Sequence, residues 1–250
     1  MLHFEFTEPP TNAVVVDSSG RNNHGRLAGA TWTASGRHGG GCAFAPTAQF
    51  IVVPASPSLN VTGISAMAWI KAAEGIDGRT VIERLAADGT GFALGIAGEA
   101  HGGGAKGRPF ARVGERTVVG DSTVADHFWH HVALVFDGRT LKLYLDGAQQ
   151  KQTTEWTTAL GGAAAELTIG MNRSNPAPAE KDVSFQGTMD EIRIYDRALD
   201  GPAVTAIYSS NKPRFTKNEV ARRIAELKEL KERGLLLDDF FERKMKECEQ

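Results

Sequence analysis

Apolar side chains recur at every second position in segment after segment up to about Ser209: LHFEF, AVVVD, GRLAGATWT, GCAFA, QFIVV, ISAMAWIKA, TVIERLA, GFALGIAG, RPFARV, RTVVGD, ELTIG and GTMDEIRIY. Glycine, aspartate, asparagine and proline break these runs at short intervals, and no amphipathic helical stretch lies between them. The pattern predicts an antiparallel β-sandwich or barrel and argues against a parallel α/β fold. Alternation is densest over residues 129–147, WHHVALVFDGRTLKLYLDG. There Val132, Leu134 and Phe136 alternate with His131, Ala133 and Val135, and beyond Asp137-Gly138 the residues Leu141, Leu143 and Leu145 alternate with Lys142 and Tyr144. This reads as strand, hairpin loop and strand, with Asp146-Gly147 as the exit turn, because glycine accepts the positive φ of hairpin turns and aspartate bonds the backbone ahead of it. A hairpin apolar on both faces needs cover on both sides.

The period changes after Ser209. AVTAIY, just before that point, reads as one short turn that closes the β domain. Residues 210–217, with Pro213, read as a linker, and Asn218 is placed to cap a helix from about Glu219 to Arg233. Val220, Ile224, Leu227 and Leu230 share one face of it. Gly234 ends the helix as a left-handed cap, and a second short helix from about Asp238 carries Phe240, Phe241 and Met245. The expected organisation is therefore a β-sandwich over 1–209, a linker over 210–217 and a helical hairpin over 218–250. Two such short helices bury little alone, which makes residues 218–250 a candidate for homo-oligomerisation or docking.

Composition narrows the function. With 28 basic against 30 acidic side chains, the chain has no cationic field for nucleic acid. No run of about 18 apolar residues is present, so no membrane span is expected. The opening MLHFEFTEPP lacks a basic region and a continuous apolar core, so an export signal is not predicted and a cytoplasmic address fits the sequence as given. Cys42 and Cys248 are too few for a disulfide framework.

Four pieces, in order, carry a family resemblance: Asp17-Ser18-Ser19-Gly20-Arg21-Asn22-Asn23-His24-Gly25; Ala68-Trp69-Ile70; Trp129-His130-His131-Val132-Ala133 with the two Asp-Gly turns; and Gly187 to Leu199, GTMDEIRIYDRAL. Together they resemble the laminin G-like domains of the concanavalin A-like superfamily. The resemblance implies an all-β fold, a two-sheet antiparallel jelly-roll sandwich, over roughly residues 1–210. It also implies an extracellular setting if an export segment precedes the chain. The tail, with Leu227, Leu230, Gly234-Leu235, Asp238-Asp239 and Phe241, resembles a SHOCT-type C-terminal helical hairpin, a class implicated in oligomerisation and partner contacts.

Candidate sites follow from the chemistry of the loops. Asp17, Ser19 and Asn22 offer oxygen donors of the kind Ca²⁺ takes. Relatives with calcium sites, and the neighbouring first and last strands that the resemblance implies, would add Asp190, so Asp17, Asn22 and Asp190 are the candidate ligands of a structural Ca²⁺. The alternative is that Asp17 and Asn22 only satisfy the turn's backbone. For a glycan, Trp32 and Trp156 are the candidate platforms; Trp156, in the polar stretch QTTEWTTAL, is expected to be exposed, with Glu155, Thr157 and Arg173 as hydrogen-bonding partners, while Trp69 and Trp129 are expected in the core. His130 and His131, adjacent on a strand, point to opposite faces and cannot share one ion. The glycine-rich residues 98–108 lack phosphate-loop spacing and read as a loop between strands. The ExDxxE arrangement of the superfamily's glucanases is absent. These features predict a non-catalytic module that binds a glycan or protein ligand through its loops. The alternatives are a polysaccharide hydrolase or lyase and a structural assembly protein.

Overall fold

The computed structural model describes residues 1–76, 78–86, 88–101, 104–153, 155–161, 165–171, 184–210 and 217–234, with 238, 241, 242 and 245. The chain divides into two compact units, Met1–Lys212 and Pro213–Gln250. Among the described residues, sixteen strands build the first. They are β1 (Leu2–Phe4), β2 (Val14–Val15), β3 (Gly25–Ala28), β4 (Thr31–His38), β5 (Gly40–Phe44), β6 (Phe50–Val53), β7 (Ile64–Ala72) and β8 (Arg79–Leu85). Then come β9 (Gly91–Ile96), β10 (Pro109–Val113), β11 (Arg116–Val119), β12 (Trp129–Phe136), β13 (Leu141–Leu145), β14 (Ala148–Gln152), β15 (Leu167–Ile169) and β16 (Gly187–Tyr195). Helix α1 (Gly201–Ser210) closes this unit, and α2 (Lys217–Glu232) lies in the second.

All strand pairs are antiparallel, and they form two sheets. The first runs β14-β13-β12-β7-β16-β5-β4, with β1 also on β16; the second runs β11-β10-β9-β8-β15-β6-β3-β2. Alternation explains how they stack. Ala66, Ala68, Ile70, Val132, Leu134 and Phe136 of the first sheet join Phe92, Leu94, Ile96, Ala111 and Val113 of the second in one buried cluster. The expected two-sheet antiparallel sandwich is thus the observed fold.

The central hairpin is covered on both sides, as its pattern requires. Its other face, with Ala133, Val135 and Tyr144, packs with Met67 under Leu199 and Val204. Here the reading of AVTAIY as a single turn is corrected, because α1 is a ten-residue helix. Asp200 caps it, its carboxylate accepting the Ala203 N–H at 2.8 Å, and Pro202 sits in the first turn, where its missing N–H costs nothing. Both Asp-Gly turns behave as read. Asp137 Oδ1 accepts the N–H groups of Arg139 and Thr140, and Asp146 and Gly147 adopt φ of 50° and 77°, the paired positive values of a tight hairpin turn.

In the second unit α2 begins two residues before the expected start, so Asn218 lies inside the helix and does not cap it. Gly234, at φ 69°, donates to the Lys231 carbonyl and ends it in the left-handed conformation. Asp238, Phe241, Glu242 and Met245 are helical, and Lys231 pairs with Asp238. Leu235, Asp239 and Phe240 lie outside the described residues. Among the described residues no helix is long and apolar enough to cross a membrane.

Candidate ligand-binding site

The candidate calcium loop is held together by its own donors. Asp17 is buried, and its Oδ1 accepts the N–H groups of His3 and Ser19, both at 2.9 Å. Its Oδ2 accepts the Ser19 hydroxyl and the Asn23 N–H, again at 2.9 Å. Burial raises the carboxyl's pKa, but these four bonds outweigh it and hold the group below its ordinary value. Asn22 is exposed at φ 58°. Asp190 is fully buried on β16 and accepts the N–H groups of His38 and Glu191, not a donor from the Asp17 loop. Burial pushes its carboxyl up to about 7. Four hydrogens aimed at Asp17 satisfy its oxygens within the turn, and Asp190 makes its bonds to His38 and Glu191, so the hydrogen bonding of each is accounted for within the fold. No cluster of three metal-ligating acidic, histidine or cysteine side chains occurs among the described residues.

The aromatic candidates are also placed differently from expectation. Trp156 is half-buried, where exposure was expected; its ring lies 5.4 Å from Phe136 and packs on the sandwich core. Arg139 accepts its N–H at 2.9 Å, and the Arg116 guanidinium sits 6.0 Å from the ring. Glu155 is exposed beside it, and Arg173 lies outside the described residues. Trp156 closes an end of the core, because an indole this large gains more from packing on Phe136 than from standing in water. Trp69 is buried as expected, whereas Trp129 is half-buried.

The two histidines part as the strand period demands. His130 is held between Asp146 Oδ2 at 2.9 Å and Asp126 at 3.2 Å. Burial lowers its pKa, but the two carboxylates outweigh it and push it up to about 9. His131 lies against Trp69, ring centroids 5.4 Å apart, and burial takes it down to about 4. Neither faces open solvent, and both serve the fold.

What the structure does open is the outer face of the second sheet. The residues of β9 and β10 that alternate with the core, Ala93 and Phe110, gather with Ala97 into a separate small cluster, with Leu85 and Val119 at its edge. Around it runs a groove of about 1060 Å³. Its polar lining includes Arg79, Thr80, Glu83, Arg112, Glu115 and Thr117, with Glu99, His101 and Lys106 from the segment between β9 and β10. Gly95 makes room for this surface: a Cβ there would come within 2.6 Å of the Phe110 ring and 2.4 Å of the Arg79 carbonyl oxygen. The His101 ring lies on Phe110 at 4.5 Å and 32°. Burial first, then the Arg112 charge, lowers the His101 pKa, and the Gly98 N–H donates to its Nδ1 at 3.3 Å. Sheet polarity sets the arrangement. Inward positions fill the core, and outward ones present guanidinium, carboxylate and hydroxyl groups beside an apolar strip.

A family model of the concanavalin A-like lectin/glucanases superfamily matches residues 46–205. The chain belongs to that superfamily. No curated protein sequence matches it. Domain 4 of AbnA, a GH43 extracellular arabinanase from Geobacillus stearothermophilus solved in complex with arabinotriose, is similar in structure. It has a TM-score of 0.63 and 20% identity, and the match covers 83% of this chain and 97% of that one. The binding domain of Paraclostridial Mosquitocidal Protein 1 gives a TM-score of 0.63 at 15% identity over 84% of this chain and 52% of that one. The binding domain of botulinum neurotoxin DC, solved in complex with rat synaptotagmin II, gives 0.60 at 11% over 85% and 51%. The chain spans about half the length of these toxin domains.

Within this concanavalin A-like sandwich, the groove residues were visible only as the polar members of TVIERLA and RPFARV, and the glycine-rich segment read as an unspecific loop. In the structure its ends are tied by Ala97 and Gly107 backbone bonds, and it delivers His101 and Lys106 to the groove.

Two outcomes follow from these sites. Asp17→Ala strands four donors and is expected to cost roughly 2–3 kcal/mol in urea denaturation, while millimolar Ca²⁺ leaves the melting temperature of the intact protein unmoved; a rise with Ca²⁺ that Asp17→Ala abolishes would restore the metal reading. The raised His130 pKa adds stability that is complete below the unfolded value of 6.5 and is lost as pH climbs through about 9. The loss amounts to about 3 kcal/mol at 1.36 kcal/mol per pKa unit, and His130→Gln should flatten that slope. An unchanged slope in the variant would refute the assignment.

Proposed function

We propose that this protein is a non-catalytic recognition module that binds an oligosaccharide along the outer face of its second sheet. The observation that carries the reading is the groove itself. A trough of about 1060 Å³, in which the partly exposed Leu85 and Val119 stand among hydrogen-bond donors and acceptors, suits sugar rings, which present apolar C–H faces edged by hydroxyls. The likeness to an arabinanase domain solved with arabinotriose supports the choice of ligand class. Binding on the sheet face replaces the loop site around Trp156, whose ring is committed to the core.

The absence of catalysis is part of the proposal. Hydrolysis of a glycosidic bond needs two carboxyl groups facing one another across the sugar. In the groove Glu83 is buried, whereas Glu99 and Glu115 are exposed at the rim. The C-terminal helical unit serves self-association or docking in this reading, supported by the shared face of Leu227 and Leu230 on α2.

The test uses a mixed oligosaccharide array and one steric block. Thr117 is exposed on β11 and lines the groove, so Thr117→Trp fills it with little effect on the core. At least one oligosaccharide should bind the unmodified protein without release of new reducing ends. Its affinity should fall tenfold or more in Thr117→Trp, with the melting temperature within about 2 °C of the parent. Binding unaffected by the block, or turnover of the bound sugar, would overturn the proposal.

A further inference from the structure

Strand β1 is held in the way a bound peptide is held. Leu2 and Phe4 are buried in the core between the sheets, in register with Ile194 and Ile192 of β16. The His3 N–H donates to Asp17 Oδ1 at 2.9 Å, the Ser18 N–H donates to the His3 carbonyl at 3.0 Å, and the Asn23 side chain donates to the Met1 carbonyl. The His3 ring meets Glu191 at 2.9 Å, and the Trp32 indole N–H donates to the Phe6 carbonyl at 2.7 Å. A short strand added to a sheet, with its backbone bonded and alternate side chains in pockets, carries its own means of recognition. Its socket is β16 together with Asp17, Ser18, Asn23 and Trp32.

The segment that returns the chain from β1 to this socket turns back under strain. The Val14 N–H donates to the Thr11 carbonyl at 3.0 Å, and the two residues between them, Asn12 and Ala13, have φ of 53° and 60°. These are the paired positive values of a type I′ turn, whose second central position calls for glycine. Asn12 tolerates that region, but the Ala13 Cβ crowds the backbone there. Pro9 and Pro10 stiffen the arm that leads to the turn. Beyond it β2 lies in the second sheet, whereas β1 lies in the first, so straightening residues 7–13 would carry β1 away from its own socket. In a second copy's socket β1 keeps every one of its contacts, and the strained turn is released.

We infer that β1 exchanges between two copies of this chain, the Leu2 and Phe4 of each copy entering the socket of the other, with Asn12-Ala13 as the hinge. The partner is a second copy, and this route to self-association is separate from the C-terminal helices.

The test follows the mass of the full chain by light scattering after refolding from urea at high concentration. One batch carries labelled leucine methyls and another labelled isoleucine methyls, and the two are refolded together. A dimer should form, and in the mixed sample the Leu2 methyls of one copy should show nuclear Overhauser contacts with the Ile194 methyls of the other. Asn12 and Ala13 are exposed, so substitutions there spare the core. Ala13→Gly relaxes the closed turn and should raise the dissociation constant of the dimer roughly fivefold or more. Asn12→Val, β-branched at a positive φ, should lower it. A chain that stays monomeric at every concentration overturns the inference. So does a dimer with no contact between Leu2 and Ile194 across copies, which would assign association to the C-terminal helices or another face, and so does a dissociation constant that Ala13→Gly leaves unmoved.

Discussion

The two-sided burial of β12 is the constraint on which the rest of this molecule depends. Its even-numbered residues Val132, Leu134 and Phe136 enter the core between the sheets, so its odd-numbered residues Ala133 and Val135 face outward and are just as apolar. A strand of that kind cannot border water. The chain answers with α1, which lays Val204 and Ile207 over that face, bonds Thr205 Oγ1 to the Gly147 carbonyl at 2.8 Å and stacks Tyr208 on Trp69. The exit turn is drawn into the same arrangement. Asp146 accepts the His131 N–H with one oxygen and bonds His130 with the other, locking the start of β12 to the end of β13.

With the first sheet closed in this way, the proposed recognition surface lies on the second. There small outward residues pair with long ones: Gly95 and Ala93 on β9 lie opposite Phe110 and Arg112 on β10. Small residues on one strand give the longer side chains of the next somewhere to lie, and the result is a groove. The same alternation that fills the core thus also sets the chemistry of the open face, since each inward Leu or Val fixes an outward neighbour.

Much of the fold was legible in residues 129–147 and in the regular breaks between strands, because period-two patterning and Asp-Gly turns are local signals. AVTAIY was misread as a turn because its six residues hold under two helical turns of pattern, and the capping Asp200 and Pro202 stand before them. The site was far less legible. The oxygens of Asp17 were legible as donors to a cation or a turn, but the four hydrogens that fold back on them were not, because His3 and Asn23 lie elsewhere along the chain. Trp156 looked exposed because its neighbours are polar, although its partner Phe136 is twenty residues away. The groove was missed because Glu83 lies on β8, Phe110 and Arg112 on β10 and Thr117 on β11, and only sheet order brings these strands onto one face.

The proposed recognition surface is the outer face of the second sheet. Amide-shift mapping of the isotope-labelled chain with a bound oligosaccharide tests it most directly, since it reports position without any substitution. Shifts concentrated at Ala93, Gly95, Phe110, Arg112 and Thr117, with Asp17 to Asn23 and Trp156 unmoved, are the predicted result. Shifts confined to the Asp17 loop or to Glu155 and Trp156, with the outer face of the second sheet silent, would contradict it.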